Sequence, residues 1–298
     1  PYYTVQFNGS VSGPVTKTSS FFISGERRNI QNDDLVAALI ADPTQPVYSP
    51  IQLSSSLFNP RTRTSISPRF DLQLGERNTL SIRYQYFNNS ESGDLNNATS
   101  LPEQANTSRG NEHQFQVSDS QILNERIVNE TRFQLVRGYS SQSPQTDTPQ
   151  VTVSGSFTGG GSNQQSATDT QYRYELQNYT QMQLTNHLLK FGVRLRDTQD
   201  SNVANSNFNG TFQFTARPCP ATGCNTAASS PCAITGVPAG TTTYSGLQAY
   251  YLTACGTLNG QTPAQIAAAG GGAGQFYYTT GQLAVKTSQF DAGLYLQD

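Results

Sequence analysis

Tryptophan is absent from these 298 residues, methionine occurs once and histidine twice. No run of about 18 apolar residues occurs either, which excludes a transmembrane helix. A membrane is not excluded, because a strand of a transmembrane barrel needs only about 10 residues of which every second is apolar. The composition therefore fits a β-sheet in water or in a bilayer, and the connections between strands must decide.

Charged residues are scarce and balanced. Lysine and arginine number 18, aspartate and glutamate number 20, and the formal net charge is -2. The basic residues form no cluster and are not interleaved with aromatic residues, as they are on many nucleic-acid-binding surfaces. We therefore expect no nucleic-acid partner.

Motifs of common catalytic sites are also missing. The sequence contains no G-x-S-x-G, H-E-x-x-H or G-x-x-x-x-G-K-[ST] motif, each of which positions a nucleophile, a metal or a phosphate. The two histidines, His113 and His187, stand at the starts of predicted strands, where a structural role at a membrane interface is expected. We predict that the protein is not an enzyme and has no cofactor.

One polar segment offers oxygen ligands for a calcium ion. It contains Asp197, Asp200, Asn202 and Asn205. The glycine and the terminal glutamate of an EF-hand loop are absent. We therefore predict no metal site.

The cysteines lie together in a segment rich in glycine, threonine and alanine. They are Cys219, Cys224, Cys232 and Cys255. A zinc site is the competing interpretation, but the spacing contains no C-x2-C pair and neither histidine is near. We predict disulfides, formed in an oxidising compartment. Three pairings are possible, and the most local one joins Cys219 with Cys224 and Cys232 with Cys255.

Apolar and polar residues alternate in many short segments. In residues 79–87 one face carries Leu80, Ile82, Tyr84 and Tyr86, and the other carries Ser81, Arg83 and Gln85. This period of two predicts a strand between two unlike media. The same pattern predicts about nine strands in total. They lie near residues 3–8, 19–28, 66–73, 79–87, 114–118, 130–135, 172–177, 189–196 and 290–297.

Short turns and long polar loops join these strands alternately. The short turns lie near residues 12–17, 74–78, 119–125 and 180–186. The long loops follow Arg28, Phe87, Arg137 and Arg196, and the last of them, residues 197–283, carries the cysteines. An outer-membrane barrel has short periplasmic turns and long extracellular loops, whereas a soluble sandwich gives no reason for such sorting. We predict an all-β, antiparallel up-and-down meander in the outer membrane of a Gram-negative-type bacterium.

The predicted sheet does not close on itself. Bacterial single-chain barrels have even numbers of strands and leave no edge unpaired in the membrane, whereas nine is odd. The chain starts with Pro1 and shows no signal peptide. We expect residues 1–298 to be one partial barrel within a longer protein.

The polar faces of the predicted strands carry charges of both signs. These residues are Arg69, Asp71, Arg83, Glu130, Arg132, Arg173, Glu175, Lys190, Arg194 and Arg196. Opposite charges on neighbouring strands can pair in a hydrated or plugged lumen. The other faces are rich in tyrosine and phenylalanine, which is typical of strands that cross membrane interfaces. We predict that the charged residues face the lumen and that the apolar faces contact outer-membrane lipid.

Two short helices and two flexible segments are predicted within the loops. Residues 34–41 are apolar and end before a proline, with Asp33 and Asp34 placed to favour the start of a helix. Residues 263–269 begin with Pro263 after Thr262 as a cap and end before a glycine. Residues 154–166 and 270–274 are rich in glycine and serine and are expected to be flexible.

Several ordered segments resemble a known family. They are FNGSVSGPVTK at residues 7–17 with SFFI at 20–23, SPRFD at 67–71 with NTL at 78–80, IVNETRF at 127–133, HLLKFGVR at 187–194 and GLYLQD at 293–298. The first is similar to the first barrel hairpin of Oar-like TonB-dependent outer-membrane receptors, although Ser12 replaces a glycine. The others resemble successive strands of that family. The resemblance covers nearly all of the chain outside its long loops.

The resemblance implies a barrel of about 22 strands that contains an N-terminal plug. Such a receptor imports a scarce extracellular ligand, which is a small molecule, a glycan or a peptide, with energy delivered by TonB. The plug and the segment that contacts TonB have no counterpart in residues 1–298. A surface adhesin or structural β-sheet protein without transport activity is the alternative, and a passive porin is a third, less favoured function. Neither the ligand nor the direction of transport, import or export, is predicted.

Overall fold

Nine long antiparallel strands form one continuous sheet in the computed structural model, which describes residues 2–204, 206–226, 230–281 and 284–298. In spatial order they are β1 (Tyr3–Thr16), β2 (Ser19–Ala41), β3 (Pro50–Gly75), β4 (Asn78–Asp94), β5 (Asn106–Asn124), β6 (Ile127–Pro144), β9 (Ala167–Gln183), β10 (Leu188–Val203) and β15 (Ala284–Gln297). The intervening numbers belong to short strands given below. The predicted all-β meander is confirmed.

The pairing register places the apolar side chains of the nine strands on a common face. One row across the sheet, from β1 to β15, consists of Gly13, Phe21, Phe70, Ile82, Val117, Phe133, Leu176, Leu195 and Ala292. Successive side chains of a strand point to opposite faces, so the alternating polar residues share the other side. We call these two sides the apolar face and the polar face.

The two ends of the sheet differ in their connections. At one end, which we call the short-turn rim, the turns contain residues 17–18, 76–77, 125–126 and 184–187, at or beside their predicted positions. At the other end, the long-loop rim, the connections are residues 42–49, 95–105, 145–166 and 204–283. Leu283, the predicted end of the last loop, lies outside the described residues. The alternation that the sequence predicts is therefore present in the fold.

Four strands continue well past the residues where the long loops were predicted to start. They end at Ala41, Asp94, Pro144 and Val203 rather than at Arg28, Phe87, Arg137 and Arg196. The predicted boundaries were wrong because three of the added lengths, such as residues 88–92, are mostly polar and show no alternation, whereas the added end of β2 is apolar and was predicted to be a helix. A strand that rises out of an apolar layer has water on both faces. His113, placed at a strand start by the sequence, consequently lies within β5.

Residues 34–41 form the end of β2, so the predicted helix is wrong. They pair with residues 50–57 of β3, and burial alternates along them: Leu35 is 72% exposed, whereas Val36 and Ala38 are each 1% exposed. Pairing with a neighbouring strand overrides the helix propensity of alanine and leucine. Asp34 does not start a helix either. Its carboxylate accepts hydrogen bonds from the side chain of Asn59 and the backbone of Leu95, both at 3.0 Å.

The remaining elements lie beyond the long-loop rim. They are β7 (Gln150–Val153), β8 (Phe157–Gly160), β11 (Thr211–Phe214), β12 (Arg217–Pro218), β13 (Thr243–Tyr244), β14 (Gln275–Tyr277), α1 (Gly246–Leu258), α2 (Pro263–Ala268) and a short 3-10 helix (Pro102–Gln104). Strands β14, β11, β7 and β8 form a second sheet, in which β11 runs parallel to β7. Helix α2 matches the second predicted helix and is capped by Thr262. No helix in the described residues has the length and apolarity needed to cross a membrane.

Candidate functional site

The four long connections fold together over the long-loop rim into one unit, which we call the cap. The first connection joins the fourth through two backbone hydrogen bonds of 2.8 Å, from Tyr48 to Ala233 and from Ala233 to Pro46. The second joins the third through a bond of 2.8 Å from Leu101 to Thr158. The third joins the fourth where β7 pairs with β11. Every long connection therefore contributes to the cap.

A buried apolar core holds the cap together. Its most enclosed side chains belong to the fourth connection, and they are Ile234, Tyr244, Leu247, Tyr251 and Leu252. Helix α1 supplies three of these and begins at a capping box between Ser245 and Gln248. The core also includes Val36 and Ala38 of β2. The end of β2 is thus the wall against which the cap packs.

Two disulfides lie in the fourth connection. They join Cys219 with Cys224 and Cys232 with Cys255, which is the most local of the three possible pairings. The second disulfide fastens the segment before β13 to helix α1. It closes the longer loop. Closing a loop of this size lowers the entropy of the unfolded chain and stabilises the folded state by about 3 kcal/mol.

Two glycine-rich segments that were predicted to be flexible are held by buried or partly buried side chains. The amide of Gln104, which is 3% exposed, donates to the carbonyl oxygens of Gly159 at 2.7 Å and Gly160 at 3.0 Å, and also to Gly161. The guanidinium of Arg217 donates to Gly271 at 2.7 Å and Gly272 at 2.8 Å. Distant donors therefore satisfy backbone carbonyls within residues 154–166 and 270–274, the two segments predicted to be flexible.

An apolar cleft of about 460 Å³ opens between α1 and the small sheet of the cap. Its lining includes Val151, Phe212, Phe214, Tyr250 and Leu258. The ring of Phe214 meets that of Tyr250 edge-on at 5.4 Å. Burial raises the pKa of the Tyr250 phenol, and the negative charge of Glu103 raises it further. The phenol therefore stays neutral, so the cleft offers an uncharged aromatic surface.

The threonine hydroxyls at the edge of the cleft are already occupied. The hydroxyl of Thr253 donates to the carbonyl oxygen of Ala249 at 2.7 Å, and that of Thr257 donates to the carbonyl oxygen of Thr253 at 2.8 Å. A ligand in the cleft therefore gains mainly from apolar contact rather than from hydrogen bonds.

Exposed aromatic rings extend the cleft along the edge of the small sheet. The ring of Phe212 lies 4.4 Å from that of Phe276, whose ring stacks on Tyr278 at 5.8 Å. Tyr278 is 61% exposed. Aromatic rings provide large, rigid contact areas at low entropic cost and are common where proteins bind ligands. The cleft and this aromatic edge form the candidate ligand-binding surface.

The ten charged residues predicted to face a lumen all lie on the polar face, according to the pairing register. One row places Arg83, Glu175 and Arg196 together with Asp291. Glu175 accepts from both Nε and Nη2 of Arg194, at 3.0 and 2.8 Å, and Arg196 binds Asp291 at 2.7 Å. Asp291 was not among the predicted residues. Most of these charges are thus paired, within or between strands.

The described residues considered for calcium do not all share one face. Asp197 and Asp200 are three positions apart in β10, so their side chains point to opposite faces of the sheet. Asn205 lies outside the described residues. His187 stands just before β10, and its Nδ1 lies 2.6 Å from the carboxylate of Asp298. Among the described residues, no group of three or more histidine, cysteine, aspartate or glutamate side chains has metal-binding geometry.

The aromatic residues of the cleft were not identified from the sequence. Phe212 and Phe276 are far apart in the chain and meet only when β11 pairs with β14. Helix α1 did have a detectable signal, since Ser245 and Gln248 have the spacing of a capping box. No comparable signal marks the cleft itself.

Comparisons with known proteins give a family and two similar structures. A family model described as an outer membrane beta barrel domain matches residues 26–298. The outer membrane transporter YddB from Escherichia coli is 9% identical with a TM-score of 0.48, covering 71% of this chain and 27% of that one. The ferric-catecholate import receptor Fiu from E. coli K12 is 11% identical with a TM-score of 0.48. That match covers 99% of this chain and 40% of the receptor. No curated protein matches the sequence.

Proposed function

This chain belongs to the family of outer membrane beta barrel domains, and from this premise we propose that it is part of a TonB-dependent receptor of the Oar-like type. In this proposal its strands form part of the barrel wall and its cap captures a scarce extracellular ligand for import. The receptor binds and transports its ligand without catalysis. The cap carries the proposal, because it gathers all four long connections around one apolar core with an apolar cleft beside it.

The edges of the sheet support a barrel with more strands than these nine. Strands β1 and β15 each pair on one side only within the described residues. Unpaired backbone groups in the hydrocarbon layer cost several kcal/mol each, so a membrane barrel has no free edges. We propose that further strands complete the wall, that its polar face lines the lumen and that a plug fills it. The long-loop rim then faces outward.

The cleft favours a ligand with an apolar or aromatic part. Its wall is formed by Phe212, Phe214 and Tyr250, and its threonine hydroxyls are already bonded. A strongly hydrated ligand without an apolar portion would lose its water here and gain few hydrogen bonds in return. The exposed Tyr278 at the aromatic edge provides a first contact from solution.

A growth experiment tests this function. The gene is deleted and then restored as the wild type, as Leu258→Glu in the cleft, or as Thr235→Glu, which adds the same charge at an exposed cap position. Strains are grown in media that each limit one nutrient. We expect the deletion strain, a strain without TonB and the Leu258→Glu strain to fail in the same medium. The Thr235→Glu strain should grow as the wild type.

The adhesin alternative gives a different result in the same strains. If the protein serves attachment, the deletion reduces binding of cells to a surface, and loss of TonB has no such effect. Normal growth of the deletion strain in every limiting medium, together with reduced attachment, contradicts the transport proposal.

A further inference from the structure

A row of polar aromatic and basic residues lies on the apolar face of the sheet, where lipid contact is otherwise apolar. The pairing register aligns Tyr86 with His113, His113 with Arg137, and Arg137 with Tyr172. These residues share that face with Phe115, which is two positions from His113 in β5. Arginine and histidine directed at lipid are costly unless they reach the interface or a partner.

The row lies at the end of the apolar band nearest the cap. Along β5, β6 and β9, its members follow Phe115, Leu135 and Tyr174 by two positions in the direction of the long-loop rim. Arg109 lies four positions beyond His113 on the same face of β5. Tyrosine is enriched at membrane interfaces, so the flanking tyrosines fit this depth.

Neighbouring tyrosines hold the side chains of His113 and Arg137. The hydroxyl of Tyr84 lies 2.7 Å from Nδ1 of His113, and the ring of Tyr86 lies 5.0 Å from the imidazole. Nε of Arg137 donates to the hydroxyl of Tyr172 at 3.1 Å, and its guanidinium carbon is 5.9 Å from the centre of that ring. Among the described residues, the two terminal nitrogens of Arg137 have no hydrogen-bond acceptor, so they are available to a ligand.

The charge on this part of the apolar face has one sign. The half of the face nearest the cap, in β4, β5, β6 and β9, carries Arg109, His113 and Arg137 and no carboxylate. On the same face, strand β10 carries Asp197, which accepts from the amide of Gln199 at 2.8 Å. The patch is therefore electropositive and lacks an anion of its own.

We propose that Arg137 and Arg109, with His113 beside them, bind the phosphate group of a phosphorylated lipid in the outer leaflet. A phosphate at the interface supplies acceptors in the plane of the guanidinium, a geometry that arginine recognises with two parallel hydrogen bonds. The long arginine stem spans apolar surface while its head reaches the headgroup layer. The inference rests on the orientation in the proposed function, with the cap outside.

The test uses the full-length protein in phosphatidylcholine bilayers that contain increasing amounts of lipid A or of dephosphorylated lipid A. The shift in unfolding temperature with lipid content gives an apparent dissociation constant. Each cation near an anionic membrane surface contributes about a fivefold change in affinity. We expect Arg137→Gln and Arg109→Gln each to weaken lipid A binding by about fivefold, and Arg137→Lys to weaken it less. Arg83→Gln, on the polar face of β4, is the matched control and should leave it unchanged.

Two results would overturn the proposal. These are an unchanged response in both arginine variants and an equal response to dephosphorylated lipid A. Arg109→Gln keeps the test valid if Arg137→Gln does not fold, because Arg109 is not held by Tyr172. The assay needs no transport. A normal lipid response with no growth phenotype rejects the proposed function alone, and the reverse result rejects this lipid site alone.

Discussion

The phenol oxygen of Tyr251 donates a hydrogen bond of 2.8 Å to the carbonyl oxygen of Gln45. This bond links helix α1 in the fourth long connection to the first long connection. The ring of Tyr48, also in the first connection, meets that of Tyr251 at 5.5 Å. Because Tyr251 is completely buried, the two connections cannot separate without opening the core of the cap. The cap is therefore one folded unit rather than four independent loops.

Removing this hydrogen bond should loosen the first connection. Tyr251→Phe loses one hydrogen bond, which costs about 1 kcal/mol, whereas Tyr251→Ala also leaves a cavity and costs about 3 to 5 kcal/mol. Limited proteolysis within residues 42–49 measures the change. Tyr278→Phe, at an exposed position, is the control and should be cut at the wild-type rate. Equal rates for Tyr251→Phe and Tyr251→Ala would show that packing is unimportant here.

Alkaline pH should open the cap. Burial raises the pKa of Tyr244, Tyr250 and Tyr251 above the value of 10.0 for a free phenol. In the unfolded chain these groups ionise near that value, so their stabilising effect is complete below it and is lost as pH rises through the folded pKa. Proteolysis of the cap should therefore accelerate above about pH 10. Tyr250→Phe should weaken this pH dependence, and an unchanged profile would contradict a buried phenol.

Loss of the longer disulfide should destabilise the cap more than loss of the shorter one. The Cys232–Cys255 disulfide spans a sequence separation of 23, against 5 for Cys219–Cys224. The loss of chain entropy in the unfolded state predicts a stabilisation of about 3 kcal/mol for the longer disulfide and about 2 kcal/mol for the shorter one. Proteolysis of the two double-alanine variants compares them, and non-reducing peptide mapping of the wild type should recover both linked pairs. Free thiols at all four positions would contradict the pairing.

The sequence predicts the strands of the sheet better than their ends. Alternation in residues 79–87 reflects two unlike media, and the register of β4 with β3 and β5 confirms it. The same strand continues through residues 88–92, where both faces are polar and no alternation exists. Residues 34–41 were predicted to be a helix, because their local pattern is apolar. Their strand is determined by pairing with residues 50–57, which no local pattern reveals.

The candidate site depends still more on distant contacts. The local disulfide pairing could be named because its partners are close in sequence. The cleft could not be predicted, since Phe214 and Tyr250 belong to different elements and Val151 belongs to another connection. Gln104 likewise orders residues 159–161 from the second connection. Glycine content alone does not show that a donor elsewhere in the chain binds these backbone carbonyls.

The ion pair between Arg194 and Glu175 should couple β10 to β9. Glu175 has 11% of its side chain exposed and accepts two hydrogen bonds from the guanidinium. A double-mutant cycle with Glu175→Gln and Arg194→Gln should give a coupling of about 1 kcal/mol in urea unfolding. The cycle of Glu130 with Arg132, where both side chains are 42% exposed, should give almost none. Equal coupling in both cycles would contradict the importance of burial.

The orientation of the sheet can be tested with single cysteines in intact cells. Gly75→Cys and Gln121→Cys lie at the short-turn rim, whereas Asn97→Cys and Ser206→Cys lie in the cap connections. The native cysteines are all in disulfides, so only the introduced thiols react. If the long-loop rim faces outward, a reagent that does not cross the membrane should label Asn97→Cys and Ser206→Cys alone. Permeabilised cells are the control, in which all four variants should react. The reverse pattern in intact cells would place the cap in the periplasm, where it has no access to an extracellular ligand, and equal labelling at both rims would contradict a sheet that separates two compartments.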